Sequence, residues 1–411
     1  MARMVTAGGV RIGACVLLWL VPATGLGQTV SNSLTLQAAL ERALASNPSL
    51  LAARLGKAVH LAGVAVAGER LNPEVSFEVE KETPKQSIGV AIPLELGGKR
   101  ARRVELSEAT VRAGDAEMAA TIAQVRNDVR RAYFELLVSR ERLAVLQELG
   151  SLAERASATA RARFDTGDAP RLEVLQAELA ASAAATETTS AQGVVTAATA
   201  TFNALLGLPP DTPEQLSTPI DSGGPVEASA LRERAERSST ALAVLDRRIE
   251  EQRARLTLAH ALRAPDLVPM AALTHDAQPE FTYGWRAGVA VTLPVFTSHK
   301  AAVAVEETTL AQLTAQRDAT RLRIGAEVSA AATTAEAQRL AYVRYHDVIV
   351  PQAQQVEQLA QDAYRLGQTG IAALLQALQA SRDVRLRALD AAAHFQTALA
   401  DLERALGTAL P

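Results

Sequence analysis

The sequence predicts a mainly α protein with a small membrane β part, built from one unit used twice. Three observations predict it. Of the 411 residues 48% are apolar, yet only 3% are aromatic, and 83 are alanine. Alanine has the best intrinsic helix propensity, and such a composition suits long helices packed side by side better than a conventional aromatic core. Prolines are confined: none falls between Pro93 and Pro170, between Pro225 and Pro265, or between Pro294 and Pro351. A proline costs about 3 kcal/mol inside a helix, so these stretches are free to form long ones. Finally, short motifs recur about 200 residues apart along the mature chain.

The elements follow in order. Residues 1–27 read as a secretory signal: Arg3 and Arg11 give the positive start, Ile12–Val21 the apolar run, and Gly25–Gly27 the small-residue end. Cys15 lies inside that run rather than closing it, which argues against acylation. It is the only cysteine, so the mature chain relies on neither disulfides nor thiol chemistry. No later segment reads as apolar enough for a transmembrane helix.

Residues 28–208 form the first repeat, 209–226 a proline-rich equatorial connector at mid-chain, and 227–411 the second repeat. Leu40-Glu41-Arg42-Ala43 returns as Arg232-Glu233-Arg234-Ala235, and Asn72-Pro73-Glu74 as Ala264-Pro265-Asp266. Ile92-Pro93-Leu94 returns as Leu293-Pro294-Val295, and Lys99 as Lys300. Phe164-Asp165-Thr166-Gly167 matches Tyr364-Arg365-Leu366-Gly367, and Ala204-Leu205-Leu206-Gly207 matches Arg404-Ala405-Leu406-Gly407. Each unit reads as a helix, two extended runs, a very long helix, a glycine turn and a second helix. From Val125 to Ala153, and again from Ile324 to Ile349, small or apolar residues recur in alternating steps of four and three, a heptad-like seam. A helix from Lys99 to Phe164 would be about 100 Å long, and Pro351 should loosen the last long helix.

The extended runs, about 74–82, 86–94, 266–275 and 281–294, alternate. Val75, Phe77 and Val79 face one way; Glu74, Glu78 and Glu80 face the other. Phe281, Tyr283 and Trp285 alternate with Thr282, Gly284 and Arg286, and gather scarce aromatic side chains like an interfacial girdle. Runs of this length suit membrane strands, though amphipathic hairpins on a soluble domain would alternate too. Four strands cannot close a barrel, and open edges are not viable in lipid. Several chains must therefore share one barrel if these strands are in a membrane.

The near-neutral charge, net −3, offers no basic surface for nucleic acid, and the apolar fraction excludes disorder. No P-loop, nucleophile motif or metal-ligand spacing is present, so the sequence nominates no catalytic residue, cofactor or metal site. Lys99, Arg100, Arg102 and Arg103 read either as a headgroup-facing cluster or as a solvated helix start.

The opening Leu34–Leu40 with Asn47-Pro48, the Ile92–Arg100 segment, both glycine turns and Leu205–Pro209 together resemble TolC-type outer-membrane efflux channels. Pro93-Leu94-Glu95-Leu96-Gly97-Gly98-Lys99-Arg100 is most similar to the CzcC branch, linked to cation-efflux pumps. The resemblance implies a homotrimer with an α-barrel in the periplasm and a shared twelve-stranded β-barrel in outer-membrane lipid. It implies a periplasmic adaptor and an inner-membrane pump of the RND type as partners. Glu74, Glu78, Glu80 and Arg286 would then line the pore. Gly167 and Gly367 would mark hairpin tips. By motif, Tyr364 and Glu173 fall on the family's periplasmic latch, while its arginine falls on Thr369 and its aspartate ring on Ala373 and Gln376. Asp165, Asp168 and Asp362 could supply charge there or be solvated turn residues. A periplasmic coiled-coil adaptor is the alternative, and it would be expected to carry one hairpin flanked by β domains.

Overall fold

A computed structural model describes residues 33–277, 279 and 281–410. The signal segment and Cys15 lie outside the described residues.

Strand β1 (Ser33–Leu34) leads into helices α1 (Leu36–Ser46) and α2 (Pro48–Ala67), strands β2 (Glu74–Val79) and β3 (Gln86–Ala91), and helices α3 (Lys99–Asp165) and α4 (Arg171–Leu205). After β4 (Gln215–Leu216) come α5 (Ala228–Ser238), α6 (Thr240–Ala261), β5 (Asp266–Ala277), β6 (Phe281–Thr292), α7 (Lys300–Arg344), α8 (Val350–Arg365) and α9 (Ile371–Leu406). A π-helical turn, Tyr345–Ile349, joins α7 to α8. Pro351 follows immediately. Its ring and missing N–H cannot be accommodated by a regular preceding turn, and the widened turn absorbs the mismatch.

The order helix pair, two strands, long helix, glycine turn, helix occurs twice. Local packing repeats with it. Ser46 Oγ donates to the Leu206 carbonyl at 2.6 Å, and Ser238 Oγ to the Leu406 carbonyl at 2.6 Å. Gly207 (φ 69°) and Gly407 (φ 70°) close these contacts: a Cβ would lie 2.8 Å from Ser46 O and 2.5 Å from Ser238 O. Only glycine fits a left-handed turn pressed on a neighbouring backbone.

Helix α3 is continuous over 67 residues. It is the spine of the molecule, packed on α2, α4, α6 and α9. Of its seam, Val125, Val129, Ala132, Leu136, Ser139, Leu146 and Ala153 are buried. A compact aromatic knot sits at mid-length, where Tyr133 stacks edge-on to Phe134 and Phe202 at 5.3 and 5.9 Å. Tyr133 Oη donates to Leu34 O at 2.8 Å and accepts from the Ser217 and Thr218 N–H groups. It thereby ties the connector and the parallel β1–β4 pair to the spine.

Helix α2 departs from expectation. Its 20 residues have a mean hydropathy of 1.5, long and apolar enough to cross a membrane, and are almost entirely unburied. It is nonetheless fastened to the helical layer: Arg54 donates to the Leu44 carbonyl at 2.8 Å and Lys57 pairs with Asp115 at 2.7 Å. Leu51, Leu55, Val59 and Val66 stand exposed on its outer side.

Strand faces and helix-hairpin tips as the candidate functional site

Strands β2 and β3, six residues each and shorter than the expected runs, and the 12-residue β5 and β6 form one antiparallel sheet in the order β2-β3-β5-β6. Register decides the faces. Phe77 pairs with Ile88, Ile88 with Leu273, and Leu273 with Trp285. Val75, Val90, Ala271 and Ala287 form the next row. Because side chains alternate, this face is a continuous apolar band, and Val75, Phe77, Val79, Ile88 and Trp285 are all exposed on it. Among the described residues, the outer edges of β2 and β6 pair with no further strand.

The opposite face is small and polar. Glu78 pairs with Ser87, Ser87 with Thr274, and Thr274 with Gly284; Glu74 lies on the same side. Ser87 Oγ donates to Glu78 Oε2 at 3.1 Å, and the Arg286 guanidinium lies 3.9 Å from the same carboxylate. Arg286 therefore offsets Glu78 within the chain. Glu80 falls one residue beyond β2, its N–H donating to the Lys85 carbonyl at 2.8 Å. Among the aromatic residues, Tyr283 and Trp285 are 76% and 79% exposed. The Phe281 ring instead lies against Gly284, where a Cβ would sit 2.4 Å from Phe281 Cε2.

Of the basic cluster after β3, Lys99 and Arg103 turn inward, while Arg100 and Arg102 stay exposed and Arg102 pairs with Glu105. Lys99, with a side chain only 7% exposed, pairs with Asp266 at 2.6 Å, and Asp266 also accepts from Leu96 N–H. Arg103 chelates Glu95, and Arg100 donates to the Gly68 carbonyl at 2.6 Å. These bonds lock the end of the sheet to the start of the spine.

At the other end, both hairpins finish in the same turn. Gly167 N–H bonds to Phe164 O and Asp168 N–H to Arg163 O; Gly367 N–H bonds to Tyr364 O and Gln368 N–H to Ala363 O. Gly167 (φ 83°) and Gly367 (φ 72°) adopt the left-handed conformation that this helix ending requires. Tyr364 is buried against both hairpins, its Oη 3.5 Å from Glu173 Oε2. Burial and the nearby Glu173 carboxylate raise the Tyr364 hydroxyl above its ordinary pKa, against the opposing pull of Arg163. Arg163 is the member that the sequence reading missed. Its guanidinium lies 5.0 Å from the Tyr364 ring centroid and donates to the Tyr364 and Asp168 carbonyls, both at 3.4 Å. Thr369 Oγ1 is buried without a partner, Asp168 accepts from Thr166 Oγ1 at 2.8 Å, and Asp362 pairs with Arg365. Asp165 is exposed at the end of α3. Among the described residues, no group of three or more His, Cys, Asp or Glu side chains is placed to hold a metal ion.

Residues 39–208, the first repeat almost entire, match the family model described as outer membrane efflux protein. The first half of the chain is thus similar to that family. It is 25% identical over 385 residues, 92% of this chain and 91% of the other, to the cobalt-zinc-cadmium resistance protein CzcC of Cupriavidus metallidurans. The fold matches the outer membrane channel CmeC of Campylobacter jejuni, with a TM-score of 0.77 at 15% identity over 90% of this chain and 85% of that one. It matches the open state of the MtrE outer membrane channel of Neisseria gonorrhoeae with a TM-score of 0.73 at 20% identity, over 91% and 89%. The efflux channel thus lies in the outer membrane, its sheet in lipid and its helices in the periplasm.

Proposed function

We propose that three copies of this outer-membrane efflux channel close one pore, and that metal cations leave through it. The observation that carries the reading is a four-stranded sheet with an apolar outer band and two open edges. Unpaired strand edges are not tolerated in hydrocarbon, and three such sheets joined edge to edge give an even-numbered barrel of a size seen in membranes. The second support is α2. In the second repeat α6, its counterpart, lies between α3 and α7 of its own chain. Helix α2 has α3 on one side only, and its exposed Leu51, Leu55, Val59 and Val66 fit α7 of a partner subunit.

The repeat also supplies the register between copies. Lys99 follows β3 as Lys300 follows β6, and Asp266 opens β5 as Glu74 opens β2. The contact equivalent to Lys99–Asp266 is then Lys300 with Glu74 of the partner subunit. Glu74 moves by this argument from pore lining to subunit pairing. The inner face keeps Glu78 and Glu80 against Arg286, a modest negative balance in each copy that favours cations. The cargo reading adds the name of the relative, a cobalt-zinc-cadmium resistance protein. A periplasmic adaptor and an inner-membrane pump of the RND type would deliver the cargo at the hairpin tips. A strain lacking the chain is expected to lose tolerance to zinc, cobalt or cadmium while keeping dye and detergent tolerance. The reverse pattern would remove the cation reading.

The tips close the pore in this reading, with Tyr364, Glu173 and Arg163 as the latch between hairpins. Tyr364→Phe removes one hydrogen bond, worth about 0.5–1.5 kcal/mol, and is expected to raise closed-state conductance in planar bilayers. The latch also has a pH signature. Because the folded pKa of Tyr364 is raised, its contribution is full below the ordinary value of 10.0 and is lost as pH rises through the folded value. Conductance should be flat through neutral pH and rise only in alkali, and the phenylalanine variant should lack that rise.

A further inference from the structure

The handover from helix to strand is built alike in both repeats. Helix α2 ends at Ala67 and β2 starts at Glu74; α6 ends at Ala261 and β5 starts at Asp266. In between, Arg70-Leu71-Asn72-Pro73 occupies the place of Leu262-Arg263-Ala264-Pro265. The order of the first two residues is swapped, yet each handover carries one arginine beside one leucine. All four stand exposed, Leu71 at 52% and Leu262 at 39%. Among the described residues, neither Arg70 nor Arg263 has an ion-pair or hydrogen-bond partner for its guanidinium. Arg100 joins them at this level: its Nε donates to the Gly68 carbonyl at 2.6 Å, and no carboxylate among the described residues pairs with it.

That level is a membrane boundary. The outward face of β6 runs from Tyr283 through Trp285, Ala287, Val289 and Val291, and the alternation continues to the exposed Leu293. From Tyr283 to Leu293 is about 34 Å along the strand at about 3.4 Å per residue. A tilt of about 40° turns this into about 26 Å of height, the apolar band of a membrane barrel. Tyr283, its ring 4.8 Å from that of His275, stands at the outer limit. Thr292 pairs with Asp266, so the periplasmic limit falls at the handovers.

The two ends of the sheet differ in charge. The segments that enter and leave it on the helical side, 68–74, 95–105, 262–266 and 293–300, hold seven basic and five acidic residues. The turns at the far end, 80–85 and 276–280, hold two basic and four acidic residues. Lys99, Arg102 and Arg103 are paired with Asp266, Glu105 and Glu95, which leaves the positive excess on the exposed arginines. A guanidinium beside a leucine suits one kind of surface. The leucine enters acyl chains while the planar fork reaches a phosphodiester with two hydrogen bonds. An anionic leaflet adds a general attraction for each such cation.

We infer that Arg70, Arg100 and Arg263 form a phosphate-binding belt that seats the channel on anionic phospholipid headgroups of the periplasmic leaflet, with Leu71 and Leu262 among the acyl chains. The belt requires the sheet to lie in lipid, and depends on neither the cargo nor the number of copies.

Boundary-lipid selection tests it. The full channel, reconstituted in phosphatidylcholine vesicles, should bind spin-labelled phosphatidylglycerol severalfold better than spin-labelled phosphatidylcholine, and high salt should weaken the preference. Arg70→Gln with Arg100→Gln and Arg263→Gln should abolish it. Arg171→Gln with Arg344→Gln and Arg387→Gln removes equal charge from exposed positions on the periplasmic helices and should leave it unchanged. A wild type without the preference, or a belt variant that keeps it, overturns the proposal. Equal loss from the distant triple also overturns it, because net charge alone would then select the lipid. Depth is read separately. Leu71→Trp, made with Trp285→Phe so that it is the only indole of the mature chain, should be quenched by lipid brominated on its acyl chains. Leu172→Trp in the same background, beside the hairpin tip, should not be. An unquenched Leu71→Trp would set the handover outside the membrane and overturn the belt.

Discussion

Replacing Arg130 by alanine should be among the most damaging single changes to the fold, costing about 3–5 kcal/mol. Arg130 is 8% exposed at mid-length of α3, where the helix meets α9. One arm of its guanidinium donates to Glu403 at 2.8 Å, the other to Gln396 Oε1 at 3.0 Å, and its plane lies 5.7 Å from the Phe134 ring centroid. Gln396 in turn donates to the Ile220 and Ser222 carbonyls. One side chain therefore joins the spine, the last helix and the connector. Alanine would leave the largely buried Glu403 carboxylate without its cation, and this uncompensated charge is the main cost. Lysine should recover only part of the loss, because a point charge cannot reach both acceptors as a planar fork does. Arg130→Met with Glu403→Leu should lie well above alanine, since it removes both charges together. Thermal unfolding in detergent, followed by circular dichroism, orders the three. Alanine unfolding at the wild-type temperature would show that the ionic seam contributes little.

What the sequence reveals about this protein depends on distance along the chain. The spine was readable because it is local: no proline, small residues at heptad spacing, and a glycine turn at its end. The expected helix from Lys99 to Phe164 differs from the observed one by a single residue. The sheet faces follow from strict alternation in β2, β3 and β6. Strand β5 reads as weaker than it is because Pro269 interrupts its pattern, yet it runs the full 12 residues from Asp266 to Ala277 between β3 and β6. Contacts set by packing between distant segments leave no such mark. Arg163 is one residue among many arginines until the fold brings Tyr364 to it. Phe281 fits the alternation of an outer girdle, but Gly284 opens a space beside it that its ring takes. The apolar side of α2 escapes a pattern search because Arg54, Lys57 and His60 interrupt it.

Reversing the charge of Lys300 is expected to abolish assembly of the trimer, and reversing Glu74 with it to restore assembly. The expectation starts from the contact within the chain. Lys99 is buried at the root of β3, with its Nζ 2.6 Å from Asp266 Oδ2, and Asp266 also holds the Leu96 N–H. That pair fixes where β5 lies against β3, because the Leu94–Leu267 bridge sits beside it. At the open edge, Lys300 and Glu74 occupy the same places in the other repeat, and both stand exposed in the single chain. They should come together only when β6 of one copy meets β2 of the next. Two glutamates facing each other there would be a like-charge contact, which costs several kcal/mol at an interface, and it would occur three times in the assembly. Lys300→Glu should therefore run as monomer in detergent where the wild type is expected to run as a trimer, with helix content unchanged. Glu74→Lys alone should fail in the same way. The double reversal should regain the trimer, because the pair is restored with opposite polarity. Two single variants that assemble normally would sink the register, whereas a double variant no better than either single would show that the residues act separately. Restoration would make the duplicated sequence itself the source of the contact between copies.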